Sequence, residues 1–398
     1  MTNNKDKKVL NVPNLRFPEF TEEWERCSLG HVTDFVKERI STDKLTLANY
    51  VSTENMKSDF GGINPAISIP NNTNVIHYKK GDVLLSNIRP YLRKVWAANS
   101  DGGCSTDVFV FRAKSISPSF LHYIMANDTF INYVMSGAKG VKMPRGDKEQ
   151  MLKYVFSIPR IEEQYKISRL LHLLDDRIAT QNKIIEKYGS LIQAICETLI
   201  ESEQHKVELS FNDFGKPYSG LSGKSAEDFG NGWPYITYMN VYQNQIIDIT
   251  DVGLVKINET EQQSVVRYGD ILFTLSSETP DEVGMGAVYL GDAYPLYLNS
   301  FCFGVHITDE SKIFPPFLAY YISTKSFRKA VFPLAQGSTR FNLPKNDFMK
   351  KIFHFPTVKK QSEIYSVLKA YSDKLSVEKN IVNLLCEQKS YLLRQLFI

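Results

Sequence analysis

The 398-residue sequence predicts an α+β protein with two similar domains, separated by two long helices that pair as an antiparallel coiled coil. Three observations lead to this prediction: an internal repeat, a mixture of strand and helix patterns within each copy, and a heptad pattern at the end of each copy. Matching motifs lie 185 to 200 residues apart. A solenoid unit would be about 20 to 50 residues long, so the repeat indicates a duplicated domain with its own helix.

The repeat is visible in short motifs that return in the same order. Gly-Asp-Val-Leu at residues 81–84 returns as Gly-Asp-Ile-Leu at 269–272, and Tyr-Val-Ser at 50–52 returns as Tyr-Ile-Thr at 235–237. Gly137 and Pro144 match Gly337 and Pro344, and farther along Pro159, Gln164 and Ile167 match Pro356, Gln361 and Ile364. The predicted boundaries are a first domain over 1–158, a central helix within 159–203, a second domain over 204–356 and a C-terminal helix within 357–398.

Each domain combines strand and helix patterns in the same order. In the first domain, β-branched and aromatic runs predict strands over residues 82–85, 95–97 and 107–111, followed by one helix over 118–133. In the second domain, the corresponding strands are predicted over 271–273, 287–290 and 301–303, followed by one helix over 316–331. The shared order predicts the same α+β architecture twice.

The helical regions carry apolar residues at alternating steps of four and three. This spacing is the heptad seam of a coiled coil. In the central helix the seam is predicted to contain Ile167, Leu171, Leu174, Ile178, Gln181 and Ile185, and in the C-terminal helix Ile364, Leu368, Leu375, Glu378 and Leu392, with Lys389 as an additional polar position. Gln181 and Glu378 occupy equivalent positions, where one polar residue can fix the register; a solvent-edge position is the alternative.

The two helices are expected to pair with each other, because neither can bury its apolar stripe alone. A whole domain separates them in the chain, so an antiparallel pair gives each domain room at one end. The central helix is predicted from Gln164 to Leu199, which corresponds to about 54 Å at 1.5 Å per residue. Consecutive turns of B-DNA are about 34–36 Å apart, so domains on such helices could reach two major-groove segments.

Composition indicates a folded protein that is neither exported nor inserted in a membrane. The first eight residues include no apolar stretch, and no run approaches the roughly 18 apolar residues of a membrane span. The five cysteines include no CxxC pair, which predicts reduced, buried thiols in the cytoplasm. Charge is uneven: residues 1–158 carry 21 basic and 16 acidic side chains, whereas residues 204–356 carry 13 basic and 16 acidic ones. Phosphate binding by the second domain would therefore need a local basic patch.

Motifs for catalysis and for metal binding are absent from the sequence. Residues 220–225 resemble a phosphate-binding loop, but the required first glycine is replaced by Tyr218. Gly284 and Gly286 fail as a dinucleotide motif because the third glycine is replaced by Tyr289. The seven histidines show no local catalytic or zinc-ligand signature. We therefore expect no catalytic residue, no metal and no cofactor in this chain.

Basic, amide and hydroxyl side chains are instead concentrated with aromatic residues in loops at matching places of the two domains. Arginine can pair bidentately with guanine and asparagine with adenine, whereas lysine holds phosphates. The candidate DNA-binding residues of the first domain are Asn87, Arg89, Tyr91, Arg93, Lys94, Lys139, Lys142 and Arg145. Those of the second domain are Ser276, Ser277, Ser338, Thr339, Arg340, Asn342 and Lys345. A solvated loop surface is the alternative for each residue individually.

The ordered motifs resemble the specificity subunits of type I restriction-modification systems. The resemblance is carried by Leu-Arg-Phe-Pro-Glu-Phe at residues 15–20 with Trp24, the Gly-Asp-Val/Ile-Leu pair, residues 337–343, and Pro-x4-Gln before each long helix. It implies two target-recognition domains that read the halves of a bipartite double-stranded DNA site, and two helices that set the spacer and dock two methyltransferase subunits. Restriction and translocase subunits would join the complex. S-adenosylmethionine, ATP and magnesium would be used only by those partners.

Two other readings of the sequence remain. A coiled-coil adaptor whose domains bind proteins rather than DNA would fit the acidic second domain. The other alternative is an enzyme without recognisable motifs. Salt-insensitive association with a protein, with no duplex binding, would distinguish the adaptor.

Overall fold

We describe a computed structural model of the chain over residues 10–398; the N-terminal segment considered above as a signal sequence lies outside these residues. The chain divides into two compact units. The first unit contains the chain up to Gln181 together with Ile381–Ile398, and the second contains Asn182–Asn380. Each unit therefore combines one domain with parts of both long helices.

The first domain is a mixed α+β structure. Its strands are Glu25–Ser28, Thr33–Phe35, Arg39–Ser41, Tyr50–Val51, Asn74–Tyr78, Val83–Ser86, Val95–Ala97, Gly102–Cys104, Val108–Ala113 and Val155–Ile158. Its α-helices are Leu29–Val32, Pro118–Met125, Asp128–Ser136 and Lys148–Leu152. The three strands predicted from the sequence are present, each within a residue or two of its expected position.

The second domain is also a mixed α+β structure. Its strands are Lys206–Leu209, Gly215–Ser219, Phe229–Ile236, Val252–Val255, Ile271–Thr274, Ser276–Ser277, Gly286–Val288, Tyr297–Leu298, Cys302–Ile307, Phe341–Asn342 and Phe353–Pro356. Its α-helices are Tyr238–Gln243, Pro315–Tyr321, Lys325–Val331 and Lys345–Lys350. The α+β prediction is confirmed for both domains.

The duplicated topology is clearest in one antiparallel four-stranded sheet per domain. In the first domain the strand order is Thr33–Phe35, Val108–Ala113, Val83–Ser86, Val95–Ala97. In the second it is Gly215–Ser219, Cys302–Ile307, Ile271–Thr274, Gly286–Val288. The first and last strands of each domain also pair, so each domain closes just before its long helix.

The prediction of a single helix after the sheet is wrong in both domains, because two shorter helices occupy that segment. Asn127 separates the two helices of the first domain, and its side chain caps the second of them at the backbone N–H of Thr129. Thr324 does the same in the second domain by accepting from the backbone N–H of Phe327. Both residues favour an N-terminal cap over a helix interior, since their side chains compete for backbone hydrogen bonds.

The two long helices are Ile161–Glu201 and Val358–Gln395, called here the central and C-terminal helices. Both lie within the predicted bounds of 159–203 and 357–398, and the central helix is a few residues longer than the span from Gln164 to Leu199. All the predicted seam positions are buried or half-buried, including Gln181, Ile185 and Lys389. The sequence did not decide whether Glu378 occupies a seam or a solvent-edge position. The residue is 7% exposed and pairs with Lys374, so it lies in the seam.

Within each unit, the beginning of one long helix packs with the end of the other. In the first unit, Ile167 and Leu171 share a core with Leu393 and Leu396. In the second unit, Ile364 and Leu368 share a core with residues that include Ile192, Cys196 and Ile200. Start against end in both units is an antiparallel pairing, as the connectivity predicts.

The cysteine prediction holds only in part. Cys104, Cys196 and Cys302 are buried, Cys27 is half-buried and Cys386 is exposed, and all five are free thiols. Burial raises the pKa of Cys104, Cys196 and Cys302 to about 12, so these thiols stay protonated. Cys386 lies on the outer face of a helix, which the heptad pattern alone could have indicated. The helices described between residues 10 and 398 include none that could span a membrane.

Candidate nucleic-acid interface

In the first domain, the two predicted binding segments lie side by side. Residues 139–145, the first hairpin, are closed by two hydrogen bonds between the backbones of Lys139 and Arg145, each of 2.9 Å. The hairpin pairs with the loop over residues 87–94, where the N–H of Arg89 donates to the carbonyl of Pro144 at 2.8 Å. Side chains that are about 50 residues apart in sequence therefore form one surface.

The second domain repeats this arrangement at equivalent positions. Residues 336–342, the second hairpin, are closed by the backbones of Gln336 and Asn342, with distances of 2.9 and 2.8 Å. The strand Ser276–Ser277 pairs with Phe341–Asn342 of the second hairpin. The loop over residues 87–94 pairs with the first hairpin in the same way. The hairpins are related by an offset of 197 residues. The candidate interface is thus duplicated in its backbone hydrogen bonds as well as in its sequence motifs.

This offset corrects the alignment of the glycines. Gly137 and Gly337 were matched at an offset of 200, whereas the structure aligns Gly337 with Gly140. Both lie directly after the first residue of their hairpin and have positive φ, 97° for Gly140 and 139° for Gly337. Glycine adopts this backbone conformation at low cost. By the same offset Pro344 corresponds to Asp147; each occupies the N-cap position of the helix that follows, and only the Asp147 side chain accepts a capping hydrogen bond.

The Gly-Asp motif explains how the sheet presents these segments. Asp82 accepts a hydrogen bond from the backbone N–H of Lys79, and Asp270 accepts one from that of Arg267, so both carboxylates close a tight turn before the strand. Both are also buried and paired, Asp82 with Arg112 and Asp270 with His306 and Tyr218. These buried charges hold the strand that leads into the interface.

Several of the predicted basic residues in the first domain are held by acidic neighbours. Arg93 Nη2 lies 3.0 Å from Asp128, Arg145 Nη1 lies 3.3 Å from Asp107, and Lys139 Nζ lies 2.8 Å from Asp147. Lys94 donates to the backbone carbonyl of Thr53 at 2.6 Å. Lys142 is exposed, without an ion pair or hydrogen bond in the described part of the chain. The pairs orient the cations, and the exposed ones remain available to a second partner.

Three further residues of the loop differ in accessibility. Tyr91 is 48% exposed, as a base-contacting aromatic residue requires. Arg89 has a left-handed backbone, φ 51°, and its Nε is buried with no hydrogen-bond partner. The Oδ1 atom of Asn87 is likewise buried without a partner. Contact of the Asn87 amide oxygen with a base would therefore require its side chain to turn outward.

In the second domain, the tip of the hairpin carries the exposed candidates. Ser338, Thr339, Arg340 and Asn342 are exposed, and the Arg340 guanidinium lies 5.7 Å from the ring centroid of Phe301. Lys345 donates to Ser219 at 3.2 Å. Ser276 and Ser277 are buried in the strand beneath the hairpin, where the Ser277 hydroxyl donates to Glu282. There they pair with the backbone of the hairpin and are not accessible to a ligand.

Three exposed apolar residues of this surface were missed by the sequence reasoning. Phe301 is 55% exposed beneath Arg340, and Val141 and Met143 stand at the tip of the first hairpin. The sequence reasoning selected polar and basic side chains, so an apolar residue in a loop was ignored. For Val141 and Met143, the signal that could have found them is apolar residues in the short segment between Gly140 and Gly146. Phe301 is far from Arg340 in the chain, and no local signal in the sequence indicates it.

The described residues contain no cluster of three or more metal-ligating side chains. What the surface offers is hydrogen-bond donors and acceptors, cations and a few apolar groups on rigid backbone, repeated once in each unit. These side chains are suited to hydrogen bonds with nucleic-acid bases and to ion pairs with phosphates. The fold is therefore an internally duplicated protein with one candidate interface per domain.

The chain belongs to the family of type I restriction modification DNA specificity domains, whose model matches residues 21–187 and again residues 219–386. The matches confirm both the family predicted from the sequence and its duplication. Among relatives, the specificity subunit of type I restriction enzyme MjaVIII from Methanocaldococcus jannaschii is 22% identical over 373 residues, covering 84% of this chain and 82% of that subunit. The EcoDI specificity subunit of Escherichia coli is 29% identical over 127 residues, 31% of this chain and 28% of that subunit.

Solved structures show the same fold. The S subunit of a type I restriction-modification system from M. genitalium is 15% identical, with a TM-score of 0.56 over 97% of this chain and 99% of that one. A chain from a type I restriction-modification system, solved to explain complex assembly and conformational transition, is 18% identical with a TM-score of 0.57, covering 93% of this chain and 96% of that one. The arrangement of elements is thus common to this group.

Proposed function

We propose that this chain is the non-catalytic DNA-recognition subunit of a type I restriction-modification complex in the cytoplasm, and that each domain reads one half of a bipartite site. The observation that carries the proposal is the hairpin-on-loop surface built twice, at an offset of 197 residues, with exposed polar and basic side chains at each tip. Two equivalent surfaces call for two equivalent ligands. The halves of one duplex site satisfy that requirement.

The division of labour within each surface follows from accessibility. Lys142 and the outward faces of Lys139 and Arg145 are suited to phosphates, since they are exposed cations on a rigid turn. Arg340 and Asn342 have the side chains for bidentate contacts with guanine and adenine. The second domain has a net negative charge, yet its exposed tip carries Arg340 without an acidic partner in the described residues. This exposed arginine supports contact of the second domain with DNA despite its net negative charge.

The long helices support the second part of the proposal, docking of two methyltransferase subunits. Apolar residues remain exposed on their outer faces: Tyr165, Leu173, Leu384 and Tyr391 in the first unit, and Leu191, Val367 and Val377 in the second. Contiguous exposed apolar patches mark surfaces that bury against a partner, and these side chains are the candidates to form one on each unit. S-adenosylmethionine-dependent methylation, and ATP- and magnesium-dependent translocation and cleavage by restriction subunits, belong to those partners. The helices would also set the spacer between the half-sites.

Base-resolved methylation mapping tests the proposal. This chain and its methyltransferase are produced together in a host that lacks other modification systems, and every methylated base is recorded. We expect one bipartite motif. In Arg340→Gln we expect altered methylation that depends only on the second half, whereas Lys350→Gln, an exposed lysine of the same domain, leaves the motif unchanged.

Two results would contradict the proposal. Absence of any methylated motif, together with salt-insensitive association with a protein and no duplex binding, would establish the adaptor. Changes in both halves caused by Arg340→Gln alone would show that the domains do not read separately.

A further inference from the structure

The tip of the first hairpin carries two exposed apolar residues on either side of Lys142, whereas the tip of the second carries only polar and basic ones. Val141 is fully exposed and Met143 is 49% exposed. Their counterparts at an offset of 197 residues are Ser338 and Arg340. Two hairpins with the same backbone closure therefore present different chemistry to whatever they bind.

The apolar tip has a defined geometry. The backbone bonds between Lys139 and Arg145 close the hairpin, and Gly140 starts its turn at φ 97°. Pro144 is buried beneath it, and its carbonyl accepts from the Arg89 N–H. Val141 and Met143 therefore project from a turn that is fixed on the loop rather than from a free segment.

Charge surrounds this apolar tip. Lys142 stands between the two apolar residues and has no partner among the described residues, while Lys139 and Arg145 stand at the base of the turn. Three cations around two apolar side chains match a ligand that is anionic outside and carries an apolar group inside. Duplex DNA has this character in the major groove, where phosphates flank the base edges and the C5-methyl group of thymine is the apolar feature.

We infer that Val141 and Met143 read the C5-methyl groups of thymine in the first half-site, whereas the second domain reads its half-site through hydrogen bonds from Ser338 and Arg340. This inference rests on the proposed function. It assigns two specificity-determining residues that carry no hydrogen-bonding group. Insertion of the same residues as a wedge between base pairs in the minor groove is a different binding mode, and it would be indifferent to a methyl group in the major groove.

Replacement of thymine by deoxyuridine tests the inference, because only the C5-methyl group is removed. The complex of this chain with its methyltransferase subunits is titrated, by competition at fixed salt, with duplexes in which each thymine of the mapped site is replaced in turn. We expect at least one replacement in the first half-site to weaken binding roughly three- to tenfold. In the double variant Val141→Ser and Met143→Arg, which copies the second hairpin, that replacement is expected to have no effect.

Matched controls separate the possible failures. Ser338→Ala in the second hairpin should leave the deoxyuridine effect in the first half-site intact. Lys142→Gln should weaken binding to all duplexes; if it does not, the hairpin is not at the DNA and this part of the proposed function fails too. If Lys142→Gln weakens binding but no thymine is sensitive to loss of its methyl group, only the methyl reading fails. A first half-site without thymine, or a deoxyuridine effect that persists in the double variant, would also overturn it.

Discussion

The side-chain amide of Gln361 makes, in the second unit, the same two hydrogen bonds that Gln164 makes in the first. Gln164 accepts from the backbone N–H of Ser117 at 2.8 Å and donates to the carbonyl of Pro159 at 2.9 Å. Gln361 accepts from the N–H of Phe314 and donates to the carbonyl of Pro356, both at 2.8 Å. Each glutamine is almost completely buried and ties the start of a long helix to its domain.

Replacing either glutamine should loosen its own unit alone. Gln164→Leu leaves a backbone donor and a backbone acceptor buried without partners, which costs about 2–4 kcal/mol in the free energy of local opening. Native-state hydrogen exchange should show the loss of protection in the first unit for Gln164→Leu and in the second for Gln361→Leu. Gln388→Leu, at an exposed helical position, is the control and should change protection by less than about 0.5 kcal/mol. Equal loosening of both units by either variant would contradict the assignment.

An ion pair connects the two long helices in the first unit and has no counterpart in the second. Lys389 Nζ lies 2.5 Å from Asp175, which also accepts from the hydroxyl of Tyr123. The equivalent residues of the second unit are Ile192 and Ser372. We expect Lys389→Met to lower the free energy of unfolding of the first unit by about 1–3 kcal/mol, because it leaves a half-buried carboxylate without its cation.

Thermal and chemical denaturation of a matched pair of variants tests this expectation. The double variant Asp175→Ser and Lys389→Ile, which copies the second unit, should recover most of the lost stability. If Lys389→Met is as stable as the original protein, the pair contributes nothing to the packing of these helices. A double variant less stable than the single one would mean that the other contacts of Asp175 matter more.

His122 should make the first unit less stable in mild acid. The Nδ1 atom of His122 is buried without a hydrogen-bond partner, although part of the side chain is accessible. Burial is the main cause that lowers the pKa of His122 to about 4, and the nearby Lys389 is the second. His172 also lowers this pKa, whereas Asp175 raises it. His122 is protonated below about pH 6.5 in the unfolded chain, but only below about pH 4 in the folded chain. Stability therefore falls as pH is lowered through this window, by about 1–2 kcal/mol between pH 7 and 5.

Denaturation of His122→Phe at pH 7 and at pH 5 measures that contribution. The variant should lose less stability on acidification than the original protein, by that amount. His31→Asn, at an exposed position of the first domain, should retain the original pH dependence. An identical loss in His122→Phe would assign the acid sensitivity to other groups.

Gly337 should be required for recognition by the second domain and not for its fold. Its φ of 139° disfavours any side chain, and a Cβ atom would lie 2.1 Å from the carbonyl oxygen of Arg340. Gly337→Ala should therefore displace the exposed hairpin and lower methylation at the site at least about tenfold, with the motif of the first half retained. Gly223→Ala is the control, since Gly223 also has positive φ but a Cβ there meets nothing within 4 Å. Equal methylation by Gly337→Ala and the original protein would remove this hairpin from the interface.

The length of the central helix should set the spacer of the DNA site. Four residues inserted after Asn182 add about 6 Å, or about two base pairs at 3.4 Å each, part of which local unwinding of the helix can absorb. Methylation mapping should return unchanged half-sites with a spacer longer by one or two base pairs. An insertion of the same length after Asn71, in an exposed turn of the first domain, should leave the spacer unchanged. An unaltered spacer, or new half-sites, in the helix variant would refute this role of the helices.

The sequence by itself determined the duplication, the α+β class, three of the four strands of each main sheet and the heptad seams. These features depend on local periodicity and on repeated motifs, which are present in the order of residues. The break in each predicted helix was missed although Asn127 and Thr324 are good capping residues, because the apolar pattern continues across the break and outweighs one polar position in a single-sequence reading.

Only the tertiary structure decided which residues form the candidate interface and what each does there. Gly140 rather than Gly137 is the counterpart of Gly337, because a backbone hydrogen-bond register and not residue identity fixes the equivalence. Ser276 and Ser277 face the interior while Val141 and Met143 face solvent, an inversion that side-chain polarity does not predict. Accessibility depends on contacts between segments that are distant in the chain. Composition and spacing describe only what is adjacent along it.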